Sequence, residues 1–333
     1  MSKRLRLGIL GAGHLGKIHI NCALSGRNWE VVGIYDADPV QAQKASEKFQ
    51  VPAFAHLKEL LEACDAVDIV TPTTTHYQLA KQALLAGKHV FIEKPVTHTV
   101  AEARNLLKLA NQLDRKVQVG HVERFNPAFL GIKDLPLAPM FIEGHRLAAF
   151  QPRGTDVSVV LDLMIHDLDL ILHLVKSPVK RVSAGGVAVL SGTPDIANAR
   201  IEFENGCVAN LTASRISMKQ MRKMRLFQQD TYISLDFLEK QAQTIRLFAT
   251  DAEQLPPLDQ LMEFDTAVGK KWLQLQMPEI ATVNAIQEEL DAFADAILQD
   301  NRPVVSLQDG YEALRLAHQI LKEIDRRLPI KTI

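Results

Sequence analysis

Short apolar, β-branched runs alternate with longer helical patterns over the first 120 residues of the chain. This alternation is typical of parallel strands joined by crossover helices. We therefore predict an α/β domain with a doubly wound parallel sheet. The predicted strands cover residues 5–10, 30–36, 66–71, 89–93 and 116–120, and the predicted helices cover residues 14–26, 39–49, 56–63, 76–87 and 99–113.

After Gly120 the pattern changes, because predicted strands now follow one another without helices between them. Asn205-Gly206 lies between two such strands and is the strongest short hairpin signal in the sequence. We therefore expect an α+β domain with a large, mostly antiparallel open sheet. Residues 251–282 are rich in Pro, Gln and Asp and are predicted to form a loop. The strands predicted here cover residues 200–203, 207–213, 224–228, 232–238 and 243–248.

Two late helices are predicted to begin near Asn284 and Ser306, which are both suitable N-cap residues. Asp309 follows the second cap at the right distance to face the free amides of the first turn. A chain of 333 residues exceeds the ~250–300 at which a single core usually stops growing. We therefore predict two domains, residues 1–121 and residues 122–333.

The charge balance and the cysteines argue against several classes of partner and site. Lys and Arg number 38 against 39 Asp and Glu, and the formal charge of −1 gives no global field that would attract nucleic acid or a membrane. Cys22, Cys64 and Cys207 lie far apart without a CxxC pair, so no disulfide framework or zinc site is indicated. Glycines interrupt the apolar run at the N-terminus, which argues against a signal peptide. No apolar run is long enough to span a membrane. We therefore expect reduced thiols in a cytoplasmic protein without a metal site.

A glycine-rich segment, Gly11-Ala12-Gly13-His14-Leu15-Gly16, directly follows the first predicted strand. Its glycines permit a tight turn, a close approach of pyrophosphate and close helix packing. Amides at the N-terminus of the next helix then face the phosphates. Asp36 closes the second strand about 20 residues later, as recognition of a ribose requires. These features predict a Rossmann dinucleotide site, and the alternative is a merely structural glycine turn.

The residues after Asp36 indicate which dinucleotide binds. They are Ala37 and Asp38, where an arginine would favour NADP. Two carboxylates would repel a 2′-phosphate, so we expect NAD as the cofactor. The residues predicted to hold it here are Gly11, Gly13, His14, Leu15, Gly16 and Asp36.

Polar residues interrupt the apolar segment 157–175, which has the length of a buried helix. They recur at steps of four, three and four residues, which places them on one stripe of an α-helix with Asp167 beside it. The stripe faces either a functional site, a satisfied internal network or an interface. Nothing in the spacing demands a metal, although Asp and His four residues apart can in principle bind one. The residues of the stripe are Asp162, His166, Asp169 and His173.

Glu93-Lys94-Pro95 lies at the carboxyl end of a predicted parallel strand. This is the edge where open α/β sheets bind ligands. An ammonium group at this edge could hydrogen-bond a substrate oxygen and favour the alkoxide that develops during hydride transfer. The alternative is a solvated surface lysine.

Four motifs together resemble the glucose-fructose oxidoreductase / inositol dehydrogenase family, also called Gfo/Idh/MocA. They are the glycine segment, the TPTTTH stretch at 71–76, the EKP triplet at 93–95, and Asp162 with His166. The similarity covers essentially the whole chain, and the ordered set is far more specific than any single motif.

The resemblance implies a role for each motif. Lys94 would bridge the cofactor and the substrate hydroxyl, His166 would be the general acid/base, and Asp162 would orient or assist it. The second domain would bind the substrate and mediate oligomerisation, as a homodimer or homotetramer through its sheet. The residues implied to line the nicotinamide half of the cofactor are Thr71, Pro72, His76, Glu93 and Lys94.

The resemblance implies that the substrate is a sugar, a cyclitol or a derivative of one. Two stretches, residues 120–127 and 150–156, indicate a more specific substrate. They resemble the branch that oxidises UDP-N-acetylglucosamine at its 3-hydroxyl. Arg124 and Arg153 are candidate contacts for a carboxylate or diphosphate, because a guanidinium binds such oxyanions in a bidentate way. For both arginines the alternative is an ion pair at a domain interface or a surface position, and Arg124 could equally contact the cofactor. Asn126, in the first stretch, is a further candidate for substrate binding.

Two other interpretations remain open. One is a different enzyme of the family, such as an inositol or free-sugar dehydrogenase or a reductase. The other is a non-catalytic regulator that binds NAD(H) as a redox sensor. Such a regulator would not need both Lys94 and His166, so their presence argues against it.

Overall fold

The computed structural model of the chain describes residues 4–150, 157–252, 254–267, 269–280 and 283–327. Internal contacts divide the chain into two units. The first unit comprises Met1–Phe125 and Val283–Arg315, and the second comprises Asn126–Thr282 and Leu316–Ile333. Residues 283–315, which the sequence assigned to the second domain, therefore pack with the first unit.

A five-stranded parallel sheet lies at the centre of the described part of the first unit. Strand β1 (Leu5–Leu10) lies between β2 (Trp29–Tyr35) and β3 (Ala66–Ile69), and β4 (His89–Glu93) and β5 (Val117–Gly120) follow β3. The strand order thus reverses at β1, and such a switch point is where open α/β sheets bind ligands. The helices between these strands are α1 (His14–Ser25), α2 (Pro39–Phe49), α3 (Leu57–Ala63), α4 (Thr73–Leu85) and α5 (Val100–Leu113).

The second unit contains a nine-stranded sheet within the described residues, and only one pair of neighbouring strands in it, β6 (Phe141–Leu147) and β9 (Val208–Ser214), is parallel. The predicted hairpin at Asn205-Gly206 is confirmed, and Gly206 has the positive φ of 89° that such a turn requires. The other strands of this sheet are β7 Val179–Val187, β8 Ile196–Phe203, β10 Met221–Gln228, β11 Thr231–Asp236, β12 Gln241–Ala249, β13 Met262–Thr266 and β14 Gly269–Gln276. The order of the nine strands is β13-β14-β12-β11-β10-β6-β9-β8-β7.

The prediction of a loop over residues 251–282 is wrong, because β13 and β14 form an antiparallel hairpin there. Four of the five residues of β13 are exposed. Met262 and Phe264 of β13 do alternate with Glu263 and Asp265, but this pattern covers only four residues in a stretch rich in Pro, Gln and Asp, so the composition outweighed it. Besides the backbone pairing, an ion pair of 2.8 Å between Lys270 and Glu263 joins the two strands.

The apolar segment predicted as one helix over residues 157–175 has two parts. Val160–Met164 is a π-helix, and α7 (Ile165–Leu174) continues it as an α-helix. The side chains of Met164, Leu168 and Ile171 are fully buried in the core of the second unit. A short helix, α6 (Pro127–Leu130), precedes the sheet.

Both late helices begin at the predicted caps. Asn284 accepts from the amides of Ile286 and Gln287 at the start of α8 (Ala285–Leu298). At the start of α9 (Leu307–Arg327), the Ser306 amide donates to Asp309 over 2.8 Å. None of the helices in the described residues is long and apolar enough to cross a membrane.

Candidate active site

The glycine segment forms the turn between β1 and α1, at the switch point of the sheet. Gly11 has φ +108°, and a Cβ atom there would lie 2.5 Å from the carbonyl oxygen of Val70. A Cβ atom at Gly16 would collide with the carbonyl of Gly11. Gly13 has open space around its missing Cβ, and within the described residues no side chain caps α1. Two glycines are therefore required by the backbone, and the third leaves room for a pyrophosphate near free helix amides.

Asp36 lies directly after β2, as predicted, with its carboxylate oriented by two backbone amides. The amide of Ala12 donates to it over 2.7 Å, and the amide of Asp38 donates to its other oxygen over 2.9 Å. The remaining lone pairs of the carboxylate are suited to accept ribose hydroxyls. The side chain of Asp38 accepts from the Val40 amide and caps α2, so this second carboxylate also has a structural task.

His76 links the two loops that carry the TPTTTH and EKP motifs. Its Nδ1 lies 2.9 Å from the Pro95 carbonyl and its Nε2 lies 2.9 Å from the Thr71 carbonyl. Burial lowers the pKa of His76 and favours the neutral ring. A neutral ring has one N–H group, so it can donate to only one of these carbonyls at a time. Pro72 is exposed and lies at the N-cap position of α4.

Lys94 is half-buried immediately after β4, at the edge where its motif predicted a ligand. Its amide donates to Glu93 Oε2 over 3.1 Å. The Glu93 carboxylate is buried, and Gly120 makes room for it, because a Cβ at that glycine would lie 2.6 Å from Oε1. Burial opposes the charge of Glu93, but the hydrogen bond and charge of His19, together with Lys94, hold its pKa below the usual range.

The buried pair of His19 and Asp68 supports Glu93 from inside the first unit. His19 Nδ1 lies 2.9 Å from Asp68 Oδ2, and His19 Nε2 lies 3.3 Å from Glu93 Oε1. Burial alone would lower the pKa of His19, but the two carboxylates raise it well above the usual value. This pair was not predicted from the sequence, although an aspartate within the otherwise apolar strand β3 is a signal for it.

In the second unit, Asp162 lies in the π-helical turn and His166 lies at the start of α7, and both are half-buried. A π-helical turn within a helix frequently marks a functional site. The predicted stripe is not uniform, since Asp169 is fully buried and His173 is exposed. The π turn also changes the angular spacing on which the prediction of a single stripe depended.

A buried ion pair fixes α7 next to His166. Arg146 of β6 donates to Asp167 over 2.8 and 3.1 Å through two nitrogens, and both side chains are almost fully buried. Such a bidentate pair has defined geometry. Arg146 was not predicted as part of the site, because β6 was not predicted from the sequence.

Comparisons with known proteins agree with this architecture. Residues 5–121 match the oxidoreductase family with an NAD-binding Rossmann fold, and residues 143–233 match the Gfo/Idh/MocA C-terminal domain. The UDP-N-acetylglucosamine 3-dehydrogenase of Acidithiobacillus ferrooxidans is 37% identical over 303 residues, which cover 90% of each chain. The chain belongs to the Gfo/Idh/MocA family.

Further comparisons extend the likeness to solved structures and to other members of the family. A structure of the A. ferrooxidans enzyme has a TM-score of 0.88 and covers 98% of this chain and 99% of that chain, at 32% identity. The scyllo-inositol 2-dehydrogenase (NAD(+)) of Bacillus subtilis is 29% identical over 238 residues, 65% of this chain and 69% of that protein. The predicted family, fold class and cofactor are confirmed, and the protein is an NAD-dependent dehydrogenase.

Three further residues, Arg124, Asn126 and Arg153, were predicted to bind the substrate. Arg124 is buried, and its guanidinium lies 4.0 Å from Asp309. Asn126 caps α6 and donates to the carbonyl of Phe237 over 3.1 Å. The side chains of Arg124 and Asn126 thus both have contacts within the protein. Arg153 lies outside the described residues.

Proposed function

We propose that the protein oxidises the 3-hydroxyl of UDP-N-acetylglucosamine, or of a related nucleotide sugar, to a ketone. The observation that carries this proposal is the identity of 37% over 90% of both chains with an enzyme named for that reaction. An inositol dehydrogenase is the second candidate, supported by 29% identity over 65% of this chain to a scyllo-inositol enzyme.

The residues of the first unit fit the cofactor. The open space at Gly13 and the uncapped start of α1 suit a pyrophosphate, and Asp36 suits the ribose hydroxyls. When bound, NAD supplies the acceptor for the hydride. The carboxylates of Asp36 and Asp38 disfavour the additional phosphate of NADP.

Oxidation of an alcohol breaks a C–H bond, whose electron pair leaves with the hydrogen, and an O–H bond, whose proton needs a base. We assign the proton to His166, which must be neutral to accept it. We assign the hydrogen bond to the reacting oxygen to Lys94, because its positive charge stabilises the alkoxide as it develops. Asp162 would orient His166 or assist the proton transfer.

The diphosphate of the substrate needs local positive groups, since the chain has a formal charge of only −1. We propose Arg153 for this contact. Arg124 is the weaker candidate, because Asp309 already lies beside its guanidinium. Asn126 remains a candidate contact for the sugar.

We also propose that the protein is a cytoplasmic homodimer or homotetramer. Five apolar side chains form a cross-strand row on the second unit's sheet, on the face opposite the buried residues of the same strands. The row consists of Phe141, Phe227, Tyr232, Ile245 and Leu275. A second copy would cover this row, and light scattering of the purified protein measures how many copies associate.

The proposal of a cytoplasmic protein is supported by the three free cysteines, which are buried and suit a reducing compartment.

The deciding experiment is turnover on a matched substrate panel. The protein is incubated with NAD and UDP-N-acetylglucosamine, free N-acetylglucosamine or inositols, and both the absorbance of NADH and the mass of the product are followed. We expect a product that has lost two hydrogens only from the UDP-sugar. Equal turnover of an inositol would favour the second candidate, and NADH binding without any turnover would favour a regulator.

A further inference from the structure

Helix α8 places a carboxyl group in the interior of the first unit. Glu289 is fully buried, and neither of its carboxyl oxygens has a hydrogen-bond partner among the described residues. One oxygen of Glu289, one oxygen of Glu93 and a ring nitrogen of His19 lie within 4.8 Å of one another. Gln118 fixes the backbone here, since its Nε2 donates to the Glu289 carbonyl over 2.6 Å. The backbone of Glu289 is therefore anchored, while its acid group faces Glu93 and His19.

The groups around Glu289 do not favour a second charge. Burial raises its pKa well above the usual range, the carboxylates raise it further, and only His19 acts in the opposite direction. Two ionised carboxylates in such a small buried volume repel each other, so one of them keeps its proton. Glu93 is the ionised one, because His19 and Lys94 stabilise its charge. The titratable groups around Glu289 are His19 and Cys22 of α1, Asp68 of β3, Glu93 of β4 and Glu123 of the 3₁₀ segment Val122–Phe125.

We propose that Glu289 is a positioning residue for Lys94. As a neutral acid, Glu289 leaves His19 to pair with Glu93, and the Glu93 carboxylate in turn holds the amide of Lys94. Ionisation of Glu289 would add a third carboxylate around His19, weaken the hold on Glu93 and displace Lys94. This inference rests on the proposed role of Lys94 in the reaction.

A divalent cation bound to the same three side chains is the competing interpretation. Asp68 lies 2.9 Å from the other ring nitrogen of His19, Nδ1, as carboxylates often do behind metal-bound histidines. A bound cation would keep Glu289 ionised and would make it a stabilising ligand. The two interpretations therefore predict opposite effects when Glu289 loses its charge.

The test is Glu289→Gln, which has nearly the shape of the neutral acid. Its matched control is Glu288→Gln, the same change at the half-buried neighbouring residue. Because the folded-state pKa of Glu289 is raised, the stability that its proton provides is fully present below the usual glutamate pKa. This stability is lost as the pH rises toward the folded-state value. We therefore expect Glu289→Gln to unfold at the wild-type temperature at pH 5 and roughly 2–4 °C above it at pH 8.

The second measurement is the dependence of kcat on pH. In the wild type, kcat should fall at alkaline pH as Glu289 ionises, and in Glu289→Gln this fall should move to higher pH. Glu288→Gln should keep the wild-type profile in both measurements. Glu289→Met, which is also neutral and of similar length, should repeat both results if the glutamine variant folds poorly.

Three outcomes would overturn the proposal. The first is an unfolding temperature of both neutral variants below that of the wild type at pH 8. The second is a stoichiometric metal in the purified wild type that Glu289→Gln loses. The third is a raised unfolding temperature without any movement of the alkaline fall, which would make Glu289 neutral but unconnected to Lys94. If instead Lys94→Ala keeps normal turnover, the proposed role of Lys94 in the reaction fails, while the unfolding temperatures still report the charge of Glu289.

Discussion

Replacing Asp36 by asparagine tests the cofactor site. The sequence predicts that this residue binds the ribose, and in the structure its carboxylate is oriented by two backbone amides. The carboxylate accepts from the Ala12 amide over 2.7 Å and from the Asp38 amide over 2.9 Å, through different oxygens. Asparagine has one carbonyl oxygen, so it keeps one of these bonds and turns an N–H group toward the other amide. A lost hydrogen bond to a charged group costs about 1.5–3 kcal/mol. The turn after β1 should therefore lose stability.

The same change should weaken NAD binding and reduce the preference over NADP. Loss of a charge-assisted acceptor for the ribose hydroxyls, again about 1.5–3 kcal/mol, corresponds to a rise in Kd of roughly 10–150-fold. In the wild type, we expect NAD to bind at least about tenfold more tightly than NADP, a difference of about 1.4 kcal/mol. Without the repulsion of the 2′-phosphate by Asp36, the two affinities should approach each other.

Calorimetric titration with NADH and NADPH at one ionic strength measures these differences. Asp38→Asn is the matched control, since it removes the same charge two residues away and asparagine caps a helix about as well as aspartate. Equal affinity of the wild type for the two cofactors would refute the reasoning. An equal change of the ratio in both variants would attribute it to general charge and not to a contact of Asp36.

Lys94→Ala and His166→Ala should each lower kcat by about 10²–10⁴-fold, the usual contribution of a positioned acid or base, with NADH binding nearly intact. Normal turnover of both variants, once folding is checked by circular dichroism, would rule out the mechanism. Arg153→Ala should raise KM for UDP-N-acetylglucosamine by about 10–100-fold, on the order of 1.5–3 kcal/mol, while oxidation of the free sugar stays equally slow. An equal change for both sugars would make this arginine structural. Arg146→Met should cost about 3–5 kcal/mol in urea unfolding because it leaves the buried Asp167 without its guanidinium, and adding Asp167→Asn should recover part of the loss. A cost below about 1 kcal/mol would be that of an exposed pair and would contradict the burial.

The strands and helices of the first 120 residues could be predicted from the sequence to within about three residues, but the return of residues 283–315 to this unit could not. Strands β1 and β4 begin and end where predicted, because parallel strands covered on both faces are continuous apolar runs between clear turn signals. The same local clarity identified Asp36 and Lys94, since each follows the end of a strand at the ligand-binding edge. Local pattern was sufficient wherever burial on both faces made the pattern strong.

The second unit was harder to predict because its signals are weaker or longer in range. β13 is short and exposed along most of its length, and it lies in a stretch rich in Pro, Gln and Asp, a composition that favours a loop. Asp162 and His166 were found by their motif, but the π-helical turn that carries Asp162 has no local signature in the apolar run around it. The importance of Asp167 was also hidden, because its partner Arg146 lies 21 residues away on a strand that was not predicted.

The protonation state of Glu289 could not be predicted from the local sequence. It stands four residues before Phe293, on the same face of α8, and that aromatic side chain packs against Phe91 and Trp29 in the core of the first unit. A glutamate on this apolar stripe indicates that the helix meets something polar or that the glutamate is neutral. The sequence cannot choose between these, since His19 and Glu93 are roughly 200 or more residues away along the chain and become its neighbours only because α8 returns to the first unit. The charge of Glu289 is thus a property of the tertiary structure, which is why it has to be measured in the folded protein.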